Sequence, residues 1–113
     1  MGKYLARVSL NADGARAVRH DKGSGRRAAV TKLIEAVGGK VEAFYFAFGA
    51  DDVIMIYDAP DNASAIAASL AANSAGPARV SMTPLITVEE MDRAVDKAAT
   101  LPSPAPAHLS GKP

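Results

Sequence analysis

The sequence predicts an α+β fold: an antiparallel sheet in split β-α-β order with its helices on one face. Three observations carry this. Residues 40–60, KVEAFYFAFGADDVIMIYDAP, read as two strands about a tight turn. Helical and strand periodicities alternate on either side of that hairpin. The hairpin is also apolar on both faces, with Phe44, Phe46 and Phe48 on one side and Val41, Ala43, Tyr45 and Ala47 on the other. A sheet wetted on one face alternates apolar with polar residues. Here both faces need cover, and the chain has helices enough for one, so a second copy is expected to supply the rest.

The elements follow in order. Tyr4 to Leu10 alternates Tyr4, Ala6 and Val8 against Leu5, Arg7 and Ser9, a strand pattern. Asn11 to His20 is a short helix for which Asp13 is the expected cap. HDKGSG, residues 20–25, reads as a loop. The main helix then opens at Ser24 or Gly25, with Val30, Leu33, Ile34 and Val37 at i, i+3, i+4 and i+7 forming one stripe and Arg26, Arg27 and Glu35 outside. Gly38-Gly39 stops it. In the hairpin, Gly49-Ala50-Asp51-Asp52 is the turn, pairing Phe48 with Val53, Phe46 with Met55 and Phe44 with Tyr57. Pro60 leads into a helix over residues 61–75, whose bulky core candidates are Ile66 and Leu70 among alanines. Gly76-Pro77 breaks it. Residues 78–86 form a fourth strand, with Val80 and Met82 on one side and Arg79, Ser81 and Thr83 on the other. Pro84 inside this run moves it towards a sheet edge or shortens it. Thr87 and Glu90 match a capping box for a last helix that turns Met91 and Val95 inward. This is the ferredoxin-like order. The expected folded unit is residues 1–100, followed by a disordered tail, 101–113, holding four of the seven prolines.

Composition narrows the function classes. At 113 residues the chain suits one domain. A net charge of +1 is too balanced to argue for nucleic acid or an anionic membrane by charge alone, and neither is expected as a partner. There are no cysteines, which removes disulfides, thiolate metal sites and cysteine nucleophiles and fits a reducing cytoplasm. No apolar run approaches the ~20 residues that cross a bilayer. MGKYLARV lacks a signal-peptide core. A cytoplasmic location is expected.

RRAAVTKLIEAVGGKVEAFYFAFGADDVIMIYDAPD, with NADGARAV before it and VSMTPLITVEEM after it, resembles the GYD-domain family over roughly Tyr4 to Met91. The most specific pieces are GGKVEAFYF, Gly49 with Asp52, and DAPD. The tyrosine that gives the family its name is replaced here by Asp51. The resemblance implies a small bacterial or archaeal protein of unsettled function whose sheets pack in pairs as a dimeric α/β barrel. It implies no catalytic residues. The wider superfamily includes monooxygenases, isomerases and binding modules, and fold alone does not choose among them.

Few side chains point to chemistry. Arg7, Ser9, Arg79, Ser81 and Thr83 fall on one face of neighbouring strands. Two arginines in a partly enclosed barrel would hold a carboxylate or phosphate; the plainer reading places them at strand ends, in water or against a partner's carboxylates. Tyr45 and Tyr57 read first as core aromatics, and as hydrogen-bond donors to a ligand carbonyl second. His20 and Asp21 are neighbours along a helix or loop, a spacing that argues against a relay. His20 and His108 make no metal site, and Asp51, Asp52 and Asp58 lack calcium-loop spacing. KGSGRR, residues 22–27, lacks the GK[ST] of a P-loop, and its basic residues read as a solvated helical face. The expectation is a homodimer or higher homo-oligomer that binds a small anionic or aromatic ligand through Arg7, Tyr45 and Arg79, with no cofactor. A cofactor-free oxygenase or isomerase, and an assembly or regulatory protein without ligand, are the alternatives.

Overall fold

The computed structural model describes residues 1–47 and 49–105. Phe48 and residues 106–113 lie outside that description, and with them the expected Phe48 pairing, His108 and most of the expected tail. The chain runs β1 (Gly2–Leu10), α1 (Ala12–Ala36), β2 (Lys40–Phe46), β3 (Val53–Ala59), α2 (Asn62–Ala75), β4 (Ala78–Leu85) and α3 (Val88–Ala98). The four strands form one antiparallel sheet in the order β2-β3-β1-β4. The fold is therefore α+β, in the split β-α-β order. No helix among the described residues is long and apolar enough to cross a membrane.

The core lies between the sheet and α1 and α2. Alternation along the central strands sends Tyr4, Ala6, Met55, Tyr57 and Ala59 to the helix side, where they bury with Ile34 of α1 and with Ala65 and Ala68 of α2. Tyr4 and Tyr57 stack with ring centroids 5.5 Å apart. The Tyr4 hydroxyl donates to Asn62 Oδ1 at 2.6 Å, and the Tyr57 hydroxyl reaches Met82 Sδ at 3.1 Å. Burial pushes the Tyr57 phenol above its ordinary pKa. Val30, Leu33 and Val37 pack around this centre, as their spacing predicts.

The expected loop between two helices shrinks to one residue. α1 is interrupted only at Lys22 (φ 62°, ψ 175°). Its N-cap is Asn11, not Asp13: Asn11 Oδ1 accepts from the Gly14 amide at 3.0 Å while its Nδ2 donates to the Gly76 carbonyl at 2.6 Å. Asn11 can tie α1 to the end of α2, a bond that Asp13, already inside the first turn, is not placed to make. At the break, Asp21 accepts from Arg26 at 3.1 Å and lies 2.8 Å from His20 Nδ1, so these neighbours meet after all. His20 and then Arg26 hold the Asp21 carboxyl below its ordinary pKa. At its other end α1 stops at Gly38 (φ 82°), whose left-handed backbone favours glycine.

Two corrections concern β2. Phe46 pairs with Val53 and Phe44 with Met55, two residues from the expected register. The loop is longer than the four-residue turn, and the Ala47 amide donates to the Asp52 carbonyl at 2.9 Å. The slip is even, so the residues past the bulge keep their faces. Val41 does not: a bulge at Glu42 puts it opposite Tyr57 and on the core side, away from Ala43 and Tyr45.

The other helices correct the inward assignments. Ile66 and Leu70 point out of α2, 47% and 64% exposed. The gap beneath α2 is set by Ala59, Ala65 and Ala68, and close approach there leaves no room for branched side chains. α3 has the predicted capping box, but it buries nothing, and Met91 and Val95 are exposed. It leaves the sheet at the end of β4, whose helix side α2 already covers.

α2 is capped by Asp61, whose carboxylate accepts from the Ser64 amide at 2.8 Å; this bond holds its pKa below the ordinary carboxylate range. A lowered folded-state pKa means that the cap's contribution is complete above the unfolded-state value and is lost as pH falls through the folded one. Thermal unfolding followed across acid pH will show that loss in the wild type and a smaller one in Asp61→Asn. Parallel profiles for the two proteins would refute the cap's role.

Candidate functional site

The three residues predicted to bind ligand do share a surface, the open face of the sheet. Tyr45 lies opposite Ile54, Ile54 opposite Arg7, and Arg7 opposite Ser81, making one row across all four strands. Arg79 lies opposite Ser9, diagonal to Arg7. The next row is Ala43, Ile56, Leu5 and Thr83, so the middle of the face is apolar and the β4 margin polar. Lys3 closes one end, bonded to Glu42 and, at 3.0 Å, to Asp58. These bonds, Glu42 first, raise the Lys3 pKa.

Arg7, Tyr45 and Arg79 line neither of the two recesses between the helices and the sheet. Tyr45 is 69% exposed rather than in the core, and Arg7 Nε sits 3.8 Å from Asp51 Oδ2, a contact at the long limit of an ion pair. Asp52 clasps the turn, its carboxylate accepting from the Leu10 amide at 2.7 Å. The acidic residues of the hairpin are therefore occupied structurally. Among the described residues no group of three potential ligands could hold a metal ion.

The larger recess is on the opposite side, between α1, α2 and the sheet. It is a half-open slot of about 260 Å³. Its floor includes Ala6, Met55 and Tyr57, one wall is Val30 and Leu33 of α1, and the other is the alanine face of α2. The slot has a simple origin. α2 presents only small side chains inward, its bulky ones face solvent, and α1 packs mainly towards β2 while α2 packs towards β4. The helices therefore do not close on each other.

Among the described residues Arg26 is the one charged side chain lining this slot, and it also borders a smaller recess of about 70 Å³ walled by Phe44 and Phe46. One edge of its guanidinium is held by Asp21. An apolar slot with a guanidinium at its margin suits a compact apolar molecule carrying an anionic group. The sequence reading placed Arg26 on the outer side. It stands four residues before Val30 and seven before Leu33, so the apolar stripe carried back one turn includes it.

The GYD domain profile matches residues 4–95, from β1 into α3. The chain belongs to the GYD-domain family. Comparison with curated proteins and with solved structures returns no match. In this GYD-domain chain, Asp51 is the carboxylate near Arg7. The matched segment spans all four strands, both walls of the slot and Arg26.

Proposed function

We propose that this GYD-domain protein is a small-molecule-binding module that works as a homodimer. Its ligand is a compact apolar anion, held in the α1–α2 slot with its charge at Arg26. The observation that supports this most directly is the slot itself: about 260 Å³, almost wholly apolar in lining, with one cation at its edge. The apolar centre of the open face, Leu5, Ala43, Ile54 and Ile56, supports pairing of two sheets as in a dimeric barrel. Arg7, Tyr45 and Arg79 then share the paired face, Arg7 on an inner strand and Tyr45 and Arg79 on the outer ones. Arg79, with no carboxylate partner among the described residues, stays available there to an anion.

The test uses anilinonaphthalene sulfonate, an apolar anion whose fluorescence reports binding. The wild type binds it; Ala72→Phe, which fills the slot, abolishes binding; Arg26→Leu weakens it about tenfold, the loss of one charge-assisted contact. Undiminished binding by Ala72→Phe would remove the slot as the site. In sedimentation, Ile54→Asp converts the dimer to monomer because it places a charge in the apolar centre of the paired face. A dimer unaffected by that change would rule out sheet pairing.

A further inference from the structure

The slot and the smaller recess share a boundary. Val8, Arg26, Val30, Met55 and Ala78 line both. They are neighbouring parts of one space between the helices and the sheet, the larger part towards α2 and the smaller towards β2.

The smaller part takes its shape from the kink in α1. Lys22 separates two helical segments, and each lends it side chains: Val18 before the kink, Arg26 and Val30 after it. At φ 62° and ψ 175° Lys22 occupies backbone space that glycine enters freely and other residues enter at a cost. Contacts on either side hold it there. Asp21 accepts from Arg26 across the kink. Gly23 lets the kinked backbone close on Phe46, where a Cβ would stand 3.1 Å from Phe46 Cε2. Phe46 meets Phe44 edge to face at 5.5 Å, and the two rings form the β2 wall.

Arg26 stands where the two parts meet. Asp21 engages its Nη1, at 3.1 Å, and a guanidinium has five N–H donors. The others have no partner among the described residues. Asp21 thus fixes the guanidinium at the junction and leaves it donors for an acid group.

The sizes then set the shape of the ligand. An apolar cavity of ~150 Å³ takes benzene. The slot, about 260 Å³, exceeds that and admits a fused ring. The smaller part, about 70 Å³, has roughly half that room and admits an alkyl arm of about three carbons. An unbranched acid with its carboxylate at Arg26 fills only one of the two.

We propose that the ligand is an acid branched at the carbon next to its carboxylate: a ring system in the slot, the carboxylate at Arg26, and a short alkyl arm under the kink of α1. This rests on the binding reading above and adds the shape by which the site selects among apolar acids. Val18 and Phe46 are then specificity-determining residues, because they line the smaller part and not the slot.

Displacement of bound anilinonaphthalene sulfonate tests this with two probes, naphthylacetate and its α-propyl derivative. For the wild type the α-propyl acid displaces the dye at about tenfold lower concentration, the gain from burying the added arm. Val18→Phe fills the smaller part from a half-buried position, so it removes that preference and leaves naphthylacetate binding unchanged. Phe46→Ala takes away the opposite wall and reduces the preference without touching the slot. Equal affinity of the wild type for the two acids would overturn the proposal and leave the slot standing as a site. A preference retained in both variants would show that it comes from hydrophobicity alone, and would equally overturn it. So would failure of both acids to displace a dye that does bind. If the dye itself does not bind, the slot reading and the branched-acid reading fall together.

Discussion

Tyr57→Ala will lower the free energy of unfolding by about 3–5 kcal/mol, the range for removing a large buried aromatic. Tyr57 is almost fully buried at the centre of β3, stacked on Tyr4 and beneath Ala65 of α2. It joins the sheet to α2, whose buried residues there, Ala65 and Ala68, are too small to fill the space left by the ring. Domains of this size have about 5–15 kcal/mol in total, so the variant should sit near its threshold at physiological temperature. Urea unfolding measures the cost. Tyr57→Phe keeps the ring and gives up only the hydroxyl's contacts with Met82 and Ala65, a loss of about 1 kcal/mol. A cost for the alanine variant no larger than for phenylalanine would contradict the packing described.

Gly39→Ala will cost about 3 kcal/mol, at the upper end for a forced overpacking. A Cβ at this position would fall on the Asp58 carbonyl oxygen, well inside contact distance, and 2.9 Å from Ile34 Cγ2. The carbonyl belongs to the end of β3 and cannot move without parting that strand from its neighbours. Gly39 thus lets the exit from α1 pass against the sheet. Gly49→Ala is the control: its Cβ would meet nothing within 4 Å, and the change should stay within about 0.5 kcal/mol. Equal midpoints in urea for the two variants would refute the close approach at Gly39.

The order of strands and helices was legible because each depends on local periodicity. Val30, Leu33 and Ile34 announce a helix face, and Tyr4, Ala6, Met55 and Tyr57 a strand face, whatever surrounds them. What escaped depends on distances between elements. Ile66 and Leu70 are the bulkiest residues of α2, and hydrophobicity alone sends them inward; only the alanine-set gap under that helix sends them out. Val41 changed face because of one bulge at Glu42, which alternation does not reveal. Arg26 was assigned by its charge rather than by its helical phase. Arg7, Tyr45 and Arg79 share one face of the sheet, while the recess lies on the other, made by helices that fail to meet.

The two outer strands of the sheet carry unlike obstructions, the Glu42 bulge in β2 and Pro84 in β4. Each spoils the regular row of hydrogen-bonding groups that an incoming strand would need. Lateral growth of the sheet from chain to chain is thereby discouraged on both flanks. Whatever meets this sheet is therefore directed to its open face rather than to its flanks.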